Sequence, residues 1–258
     1  MAHTQQVAIV TGGSRGIGRA ISTRLATQGV SICVNYSARP EPAEALVKEL
    51  HTGGTSAIAV RADVSDPTQV EALIAQAEAE LGPLTILVNN AGISAPATLE
   101  TYDEAALDRM RRVNVNGVIN TIRATMMGMK ARGYGRIVNI ASNAAIGTAL
   151  PGTTFYAATK AEVLILTKRF ALELGHTGIT VNAVCPGWIV TEMARGTATE
   201  EEFSARVAEM RERTMVGRVG APEDIAAAVA FLASPEAGFT TAQVLTVDGG
   251  RKDYIGHS

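Results

Sequence analysis

The chain has 258 residues, of which 47% are hydrophobic and only 4% aromatic, and its formal net charge is −2. This length can bury one large core and fits a single α/β domain, residues 1–258, better than two domains. The small net charge argues against nucleic acid or an anionic membrane as a partner, and no apolar run approaches the roughly 20 residues that span a bilayer.

The compartment is indicated by the cysteines and by the first residues. Cys33 and Cys185 lie in apolar runs that resemble strands, so we expect buried free thiols and no disulfide framework. Residues 1–6 lack the basic and apolar regions of a signal peptide. We therefore expect a cytoplasmic protein, and no metal site is predicted.

Apolar runs alternate with amphipathic segments along the whole chain. Strands are predicted at residues 7–10, 30–35, 56–60, 84–88, 136–141, 179–184 and 244–247. Helices are predicted from residue 17, at 41–50, 67–81, 103–131 and 154–174, and from Pro222 onward. Continuous apolar strands that alternate with helices are typical of a parallel sheet covered on both faces. The predicted fold class is α/β, a doubly wound seven-stranded parallel sheet.

Polar and glycine-rich residues follow the predicted strands, where ligands of such sheets bind. These residues are 11–18, Tyr36, 63–64, 89–92, Ser142 and 186–187. We expect them to form one site. The polar segment 191–216 directly follows the last of them and is longer than an ordinary connection, so it is predicted to be a lid or substrate loop.

The first of these segments is glycine-rich and lies between a strand and a helix, with the sequence Thr11-Gly12-Gly13-Ser14-Arg15-Gly16-Ile17-Gly18. Glycines allow a tight turn, and a helix N-terminus offers unpaired N–H groups to an anion. The segment therefore favours a pyrophosphate, although Gly-x-x-x-Gly-x-Gly differs from the standard dinucleotide fingerprint. Taken alone, it could also be a simple connection.

A second group of residues could exchange a proton with a substrate. Tyr156 and Lys160 are four residues apart and share a helix face. An ammonium nearby favours the phenolate, so we expect Lys160 to lower the pKa of Tyr156 from its usual value near ~10. Ser142 can donate a hydrogen bond to a carbonyl oxygen, and a buried Asn114 needs a partner. Each residue also admits a structural role in packing or capping.

Together these segments resemble the classical short-chain dehydrogenase/reductase family, closest to its 3-oxoacyl-(acyl-carrier-protein) reductase-like and carbonyl reductase branch. The matching residues, in the family's order, are Thr11-Gly12-x-x-x-Gly16-x-Gly18, Asp63-Val64, Asn89-Asn90-Ala91-Gly92, Asn114, Ser142, Tyr156-x-x-x-Lys160 and Pro186-Gly187. The resemblance extends to residue 250. It implies a Rossmann domain, a nicotinamide dinucleotide cofactor and a homotetramer.

The resemblance also implies catalytic roles. Tyr156 would be the general acid in reduction and the base in oxidation. Lys160 would lower the pKa of Tyr156 and hold the nicotinamide ribose. Ser142 would bind the substrate oxygen. Asn114 would hold a water that links Lys160 to bulk solvent.

Cofactor contacts are implied for four groups of residues. The pyrophosphate would lie along Gly12, Ser14, Gly16, Ile17 and Gly18. The adenine would meet Asp63 and Val64, and the middle of the cofactor would meet Asn90, Ala91 and Gly92. The nicotinamide end would meet Pro186, Gly187, Ile189 and Thr191.

The choice of dinucleotide depends on residues near the end of the second strand. An NAD enzyme of this family commonly has Asp where this chain has Tyr36, and no carboxylate appears before Glu41. Arg15 stands where the family places a partner for the 2′-phosphate, and Ser37 and Arg39 could add donors. We therefore favour NADP(H) over NAD(H). Alternatively, Arg15 is solvated and cofactor specificity is loose.

The substrate is less well indicated. Candidate pocket residues are Ser94, Asn143, Ile146, Thr148, Phe155, Trp188 and Met193. We predict an NADPH-dependent reductase that acts on a small-molecule ketone or β-keto carbonyl and yields a secondary alcohol. A sugar or polyol dehydrogenase is the alternative, and a non-catalytic dinucleotide-binding regulatory protein is the alternative from another class.

Two further features concern assembly. In this tetrameric family a polar tail such as 251–258 can reach a neighbouring subunit's pocket, which would bring Arg251 or His257 to the substrate. The tail could equally fray on the surface. Glu162 departs from the small residue usual at its position, on a helix that would lie in a subunit interface.

Overall fold

A parallel sheet forms the centre of the protein in a computed structural model that describes residues 5–255. Its strands are β1 (Val7–Val10), β2 (Ser31–Tyr36), β3 (Ala57–Arg61), β4 (Ile86–Asn89), β5 (Gly135–Ile140), β6 (Ile179–Pro186) and β7 (Val244–Val247). The order is β3-β2-β1-β4-β5-β6-β7, and every neighbouring pair is parallel. The predicted strands are confirmed, with ends shifted by one or two residues.

Helices cover both faces of this sheet. They are α1 (Gly16–Ala26), α2 (Glu41–Thr52), α3 (Pro67–Leu81), α4 (Glu104–Arg111), α5 (Gly117–Arg132), α6 (Thr154–Leu174), α7 (Glu192–Arg195), α8 (Glu200–Glu212) and α9 (Pro222–Ala233). Successive strand residues point to opposite faces. Val7 and Ile9 therefore join the core under α3, α5 and α6, whereas Ala8 and Val10 join the core under α1, α2 and α9. The doubly wound α/β fold is confirmed.

The helical stretch predicted over residues 103–131 is confirmed in extent, but it is not one regular α-helix. A π-helical turn, Arg112–Asn116, separates α4 from α5. Such a turn accommodates an extra residue within a helix and often lies at a functional site. It contains Asn114, whose side chain is bonded to a neighbouring loop and helix, so tertiary contacts set the local geometry.

Segment 191–216, predicted as a lid or substrate loop, contains the two helices α7 and α8. The hydroxyl of Thr199 accepts a bond from the Glu202 N–H, and the Glu202 carboxylate accepts one from the Thr199 N–H. This reciprocal pair satisfies the first turn of α8. The Phe203 ring lies 5.8 Å from that of Trp188. The segment is therefore helical. We call residues 191–216 the lid segment, and its function as a lid stays a prediction.

The sheet reverses its strand order at β1, which pairs with β2 on one side and β4 on the other. Ligands of open α/β sheets bind in the crevice at such a switch point, beyond the carboxyl ends of the strands. The glycine-rich turn and the loop after β4 both lie there. Within residues 5–255, no helix is both long enough and apolar enough to cross a membrane.

Candidate active site

The glycine-rich turn between β1 and α1 is tight and closely supported. Gly12 and Gly16 have positive φ angles of 59° and 51°, a conformation that glycine adopts without strain. A Cβ on Gly18 would overlap the Gly12 carbonyl oxygen and lie 2.6 Å from the Asn90 Nδ2. The Asn90 amide donates to the carbonyl oxygens of Thr11 and Gly12 at 2.9 and 3.0 Å. The loop after β4 thus holds the turn in place.

Asn35 also supports this turn, although sequence reasoning missed it. Its Oδ1 accepts a bond from the Gly12 N–H at 3.3 Å, and its carbonyl oxygen accepts one from the Gly13 N–H at 2.9 Å. Its Nδ2 donates to the carbonyl oxygen of Ala62, the residue directly after β3, at 3.0 Å. The sequence feature that could have indicated this role is the one amide side chain in the mainly apolar strand β2.

The start of α1 fits an anionic group. Arg15 precedes the helix without a side-chain cap, and the first turn contains no acidic residue. No capping side chain therefore accepts a hydrogen bond from the first N–H groups of α1. These N–H groups, together with the helix dipole, favour the binding of a phosphate. Ser14 is buried beside them and Ile17 is partly buried. A dinucleotide pyrophosphate fits this turn.

Two arginines converge on one carboxylate at the edge of the crevice. Arg15 Nη1 lies 2.6 Å from Glu192 Oε2 in α7, and Arg39 Nη2 lies 3.9 Å from the same oxygen. Tyr36 ends β2 and is partly buried, whereas Ser37 is exposed. The structure thus places two cations together where the sequence predicted a 2′-phosphate contact, with the Glu192 carboxylate between them.

Asp63 and Val64 follow β3 as predicted, but Asp63 already has partners. Burial opposes ionisation of Asp63, yet hydrogen bonds from Ser65 and Arg109 lower its pKa below the usual value. Arg109 Nη2 lies 2.8 Å from the Asp63 carboxylate. Val64 is buried against Gly117. Contact with adenine therefore stays a prediction, and Asp63 would have to share its carboxylate with Arg109.

The Ser142, Tyr156 and Lys160 side chains meet beyond the ends of β5 and β6. Lys160 is buried and donates to the Ile140 carbonyl oxygen at 2.8 Å, and its Nζ lies 5.9 Å from the centre of the Tyr156 ring. The Ser142 hydroxyl accepts a bond from the Ala144 N–H at 3.1 Å and lies close enough to Tyr156 to lower the pKa of its phenol. Because the Ser142 oxygen accepts this bond from the Ala144 N–H, the Ser142 hydroxyl proton is free to be donated to another oxygen.

Burial controls the ionisation of both titratable groups. It raises the pKa of Tyr156 to about 12, which the nearby Ser142 hydroxyl only partly offsets. It lowers the pKa of Lys160 to about 8. The expected lowering of the Tyr156 pKa by Lys160 is wrong for this structure, because desolvation of the phenolate outweighs attraction to an ammonium 5.9 Å from the ring.

Asn114 anchors the loop that follows β4. Its Oδ1 accepts a bond from the Ile93 N–H at 2.8 Å, and its Nδ2 donates to the Ile93 carbonyl oxygen at 2.9 Å and to Thr159 Oγ1 at 3.1 Å. A Cβ on Gly92 would lie 3.3 Å from both Asn114 Oδ1 and Lys160 Nζ. The Ala91 N–H donates to Thr11 Oγ1 at 3.0 Å. The water-holding role of Asn114 stays a prediction.

The predicted nicotinamide residues link the sheet to the lid segment. The Gly187 N–H, just after Pro186, donates to the Val247 carbonyl oxygen at 2.9 Å, and Ile189 is buried. Thr191 caps α7 by accepting a bond from the Ala194 N–H at 3.2 Å. A Cβ on Gly16 would lie only 3.3 Å from Thr191 Cγ2. The lid segment therefore comes close to the glycine turn across the crevice.

The predicted substrate residues do not all converge. Asn143 and Thr148 are buried; Asn143 contacts Asp248, and Thr148 is bridged to Tyr254. Trp188 packs on Phe203, and Phe155 packs on Tyr102, which the sequence had not singled out. Ser94, Ile146 and Met193 are exposed.

Residues 251–255 and Glu162 both have partners within the same subunit. Residues 251–255 pack beside the lid segment and the loop after Ser142, whereas His257 lies outside the described residues. Arg251 is buried and bonded to Asp253. Glu162 lies 3.0 Å from Arg111. This ion pair between α4 and α6 explains how a charged residue is accommodated there.

Comparison with known proteins agrees with this geometry. A short-chain dehydrogenase family model, described as enoyl-(acyl carrier protein) reductase, matches residues 12–252. The chain belongs to the short-chain dehydrogenase/reductase family. It is an NAD(P)-dependent oxidoreductase that interconverts hydroxyl and keto groups.

Other members of the short-chain dehydrogenase/reductase family match over nearly their whole length. The 3-oxoacyl-(acyl-carrier-protein) reductase FabG of Staphylococcus aureus strain Mu50 is 41% identical over 244 residues, 94% of this chain and 96% of the relative. The acetoacetyl-CoA reductase of Rhizobium meliloti strain 1021 is 42% identical over 248 residues, 95% and 98% of the two chains. A gluconate 5-dehydrogenase from Burkholderia cenocepacia J2315, solved with NADP and tartrate, has a TM-score of 0.87 at 36% identity and covers 95% and 94%.

Proposed function

We propose that this protein reduces a ketone or β-keto carbonyl to a secondary alcohol with NADPH, and runs the reverse oxidation when alcohol and NADP⁺ are in excess. The observation that carries the proposal is that the Ser142 hydroxyl lies beside the Tyr156 hydroxyl, while the buried Lys160 Nζ lies 5.9 Å from the centre of the Tyr156 ring. A substrate oxygen at this point would receive two O–H donors. Such donors act where negative charge develops on the oxygen.

The proton chemistry follows from the environment of each group. A bound nicotinamide dinucleotide supplies the hydride. Tyr156, with its pKa raised to about 12, is a neutral phenol at pH 7 and can give its proton to the substrate oxygen. Ser142 holds that oxygen. Lys160, with its pKa near 8, is still largely protonated at pH 7 and offsets the negative charge left on Tyr156.

NADP(H) is favoured over NAD(H) in this proposal. Arg15 and Arg39 supply positive charge at the edge of the crevice. Tyr36 and Ser37 supply no carboxylate to repel a 2′-phosphate there. The Burkholderia relative was solved with NADP. Glu192 opposes this preference in part, because it shares both arginines with any phosphate that binds.

The substrate class is proposed from the same geometry and from the relatives. Two O–H donors aimed at one oxygen suit a carbonyl group better than a carbon–carbon double bond. FabG and acetoacetyl-CoA reductase are named for β-keto thioesters, which makes this class the first choice. A sugar or polyol dehydrogenase is the second candidate, and the gluconate 5-dehydrogenase relative favours it.

The test is NADPH oxidation, followed by absorbance, over a panel of carbonyl compounds. The panel contains acetoacetyl-CoA, a β-ketoester, simple ketones, 5-ketogluconate and, as a different chemistry, crotonyl-CoA. Reduction of a β-keto compound supports the proposal, and preference for 5-ketogluconate supports the sugar alternative. NADPH binding without turnover of any carbonyl compound would refute the proposed reductase activity and support a non-catalytic dinucleotide-binding protein. Turnover of crotonyl-CoA alone would refute carbonyl reduction.

A homotetramer in the cytoplasm is the proposed working form. Large apolar side chains are exposed on α5 and α6, at Met127, Ile165 and Leu172, and on α9 and β7, at Phe231 and Leu245. Two such patches would allow two kinds of subunit interface. Both cysteines are buried free thiols, which fits a reducing compartment. Light scattering of the purified protein tests the tetramer, and a monomer mass would refute it.

A further inference from the structure

The chain turns back after β7 and places its last described residues between two functional segments. Gly249 and Gly250 have φ angles of 71° and 70°, which make this sharp return possible. We call residues 251–255 the tail. One side of the tail contacts the end of the lid segment, and the other side contacts the loop that follows Ser142.

The lid side of the tail is held by backbone and charge contacts. The Lys252 N–H donates to the Arg213 carbonyl oxygen at 3.0 Å, and Thr214 forms an antiparallel bridge with Arg251. Arg213 Nη1 lies 2.7 Å from the Asp253 carboxylate. The Arg251 side chain, only 2% exposed, binds the same carboxylate through two bonds of 2.6 Å. Asp253 therefore neutralises a buried cation while it joins the tail to the end of α8.

The other side of the tail pairs with the loop 147–149. The Ala149 N–H donates to the Asp253 carbonyl oxygen at 2.7 Å, and the Ile255 N–H donates to the Gly147 carbonyl oxygen at 2.6 Å. These two bonds flank Tyr254 and present it to the loop as in an antiparallel strand pair. Hence Asp253 bonds to the lid segment with its side chain and to loop 147–149 with its backbone.

Tyr254 extends this connection to the residue next to Ser142. Its hydroxyl donates to the Asp248 carboxylate, and Asn143 Nδ2 lies 3.5 Å from the same oxygen. The other Asp248 oxygen accepts a bond from the Gly250 N–H at 2.9 Å. Asn143 is buried and directly follows Ser142 in the chain. A three-residue polar cluster therefore runs from the tail to the end of β5.

We propose that the tail belongs to the substrate site of its own subunit, that its backbone holds loop 147–149, and that Tyr254 is a positioning residue which holds Asn143 through Asp248. The proposal rests on the proposed function, because it deepens the assignment of that site. The tail would keep the loop after Ser142 in register with the lid segment. It would thus set how tightly the carbonyl substrate is held, without contributing to the binding of the dinucleotide.

Tyr254→Phe tests this role with little change of shape, because it removes one hydroxyl and leaves the ring. Tyr134→Phe is the matched control, since it removes the same group from a tyrosine that directly precedes β5, at the opposite end of that strand from Ser142, where its hydroxyl accepts a bond from Gln6 Nε2 at 2.9 Å. Steady-state kinetics gives kcat and KM for the best carbonyl substrate, fluorescence titration gives the Kd of NADPH, and hydrogen exchange follows the amides of loop 147–149.

For Tyr254→Phe we expect a KM for the carbonyl substrate about three- to tenfold above wild type, as for one lost hydrogen bond. The Kd of NADPH should stay within about twofold, and loop 147–149 should exchange faster. Tyr134→Phe should match wild type in all three. An unchanged KM, a parallel loss of NADPH affinity or an equal effect of Tyr134→Phe would overturn the proposal. If the wild type reduces no carbonyl compound, the proposed function fails, and exchange in loop 147–149 still decides whether loss of the Tyr254 hydroxyl loosens the loop.

Discussion

Arg15→Ala separates the two dinucleotides most clearly. The Arg15 side chain is 45% exposed and its partner Glu192 is 71% exposed, so loss of this ion pair should cost at most about 1 kcal/mol of stability. A charge-assisted bond to a 2′-phosphate is worth about 1.5–3 kcal/mol. The Kd of NADPH should therefore rise by about 10- to 150-fold, whereas the Kd of NADH should hardly change.

Arg19→Ala is the matched control for this experiment. Arg19 lies one turn further along α1, is 41% exposed and pairs with Glu49 at 2.5 Å. Fluorescence titration of both variants with NADPH and NADH measures the effect. Equal weakening of both dinucleotides by Arg15→Ala, or equal weakening of NADPH by Arg19→Ala, would refute the assignment of Arg15 to the 2′-phosphate.

Glu192→Gln should act in the opposite direction. It removes the carboxylate that binds Arg15 and approaches Arg39 in the structure. Because exposed pairs are worth about 0–1 kcal/mol, the affinity for NADPH should rise by no more than about fivefold. Weaker NADPH binding in this variant would show that Glu192 helps to hold the cofactor instead of competing with it.

Three further variants probe the site from other directions. In Gly18→Ala the new Cβ would overlap the Gly12 carbonyl oxygen, so titration should show that NADPH and NADH binding are both lost. Gly175→Ala is the control: Gly175 has a helical φ and nothing near its Cβ position, so this variant should bind both dinucleotides normally. Lys160→Met is tested by chemical unfolding between pH 8 and pH 10.5. The lysine of the unfolded chain keeps its proton up to about pH 10.5, whereas the folded one releases it near pH 8, so the free energy of unfolding of wild type should rise with pH, relative to the variant, by an amount on the order of 3 kcal/mol. A difference independent of pH would contradict burial as the cause of the lowered Lys160 pKa. Asn114→Ala leaves the Ile93 N–H and carbonyl without their side-chain partners, and thermal unfolding should show a loss of about 1–3 kcal/mol; an unchanged melting temperature would remove Asn114 from its anchoring role.

Local patterns made much of the fold predictable. The apolar runs that became β1 to β7 have the length of buried parallel strands, and the positions of Gly12, Gly16 and Gly18 reflect backbone demands that are local to the turn. Tyr156 and Lys160 share a helix face wherever α6 lies. The order and spacing of these motifs, which match those of the short-chain dehydrogenase/reductase family, then predicted that they form a single site at the ends of the strands.

The rest depends on tertiary contacts that no short stretch of sequence contains. The π-helical turn at Arg112–Asn116 exists where Asn114 meets Ile93 and Thr159, which lie far apart in the chain. The raised pKa of Tyr156 results from burial, so the spacing to Lys160 alone predicted the wrong direction. The course of the tail depends likewise on Asp253 meeting Arg213, 40 residues earlier in the chain.

Tyr156→Phe tests the central claim most directly, because it removes only the hydroxyl that is assigned as proton donor. Reduction of the best carbonyl substrate by NADPH should fall by about 10²- to 10⁴-fold, as expected for loss of a general acid. The Kd of NADPH should remain within about twofold of wild type, because Lys160 and the glycine turn are unchanged. A single-turnover rate close to wild type, with NADPH bound, would contradict the account.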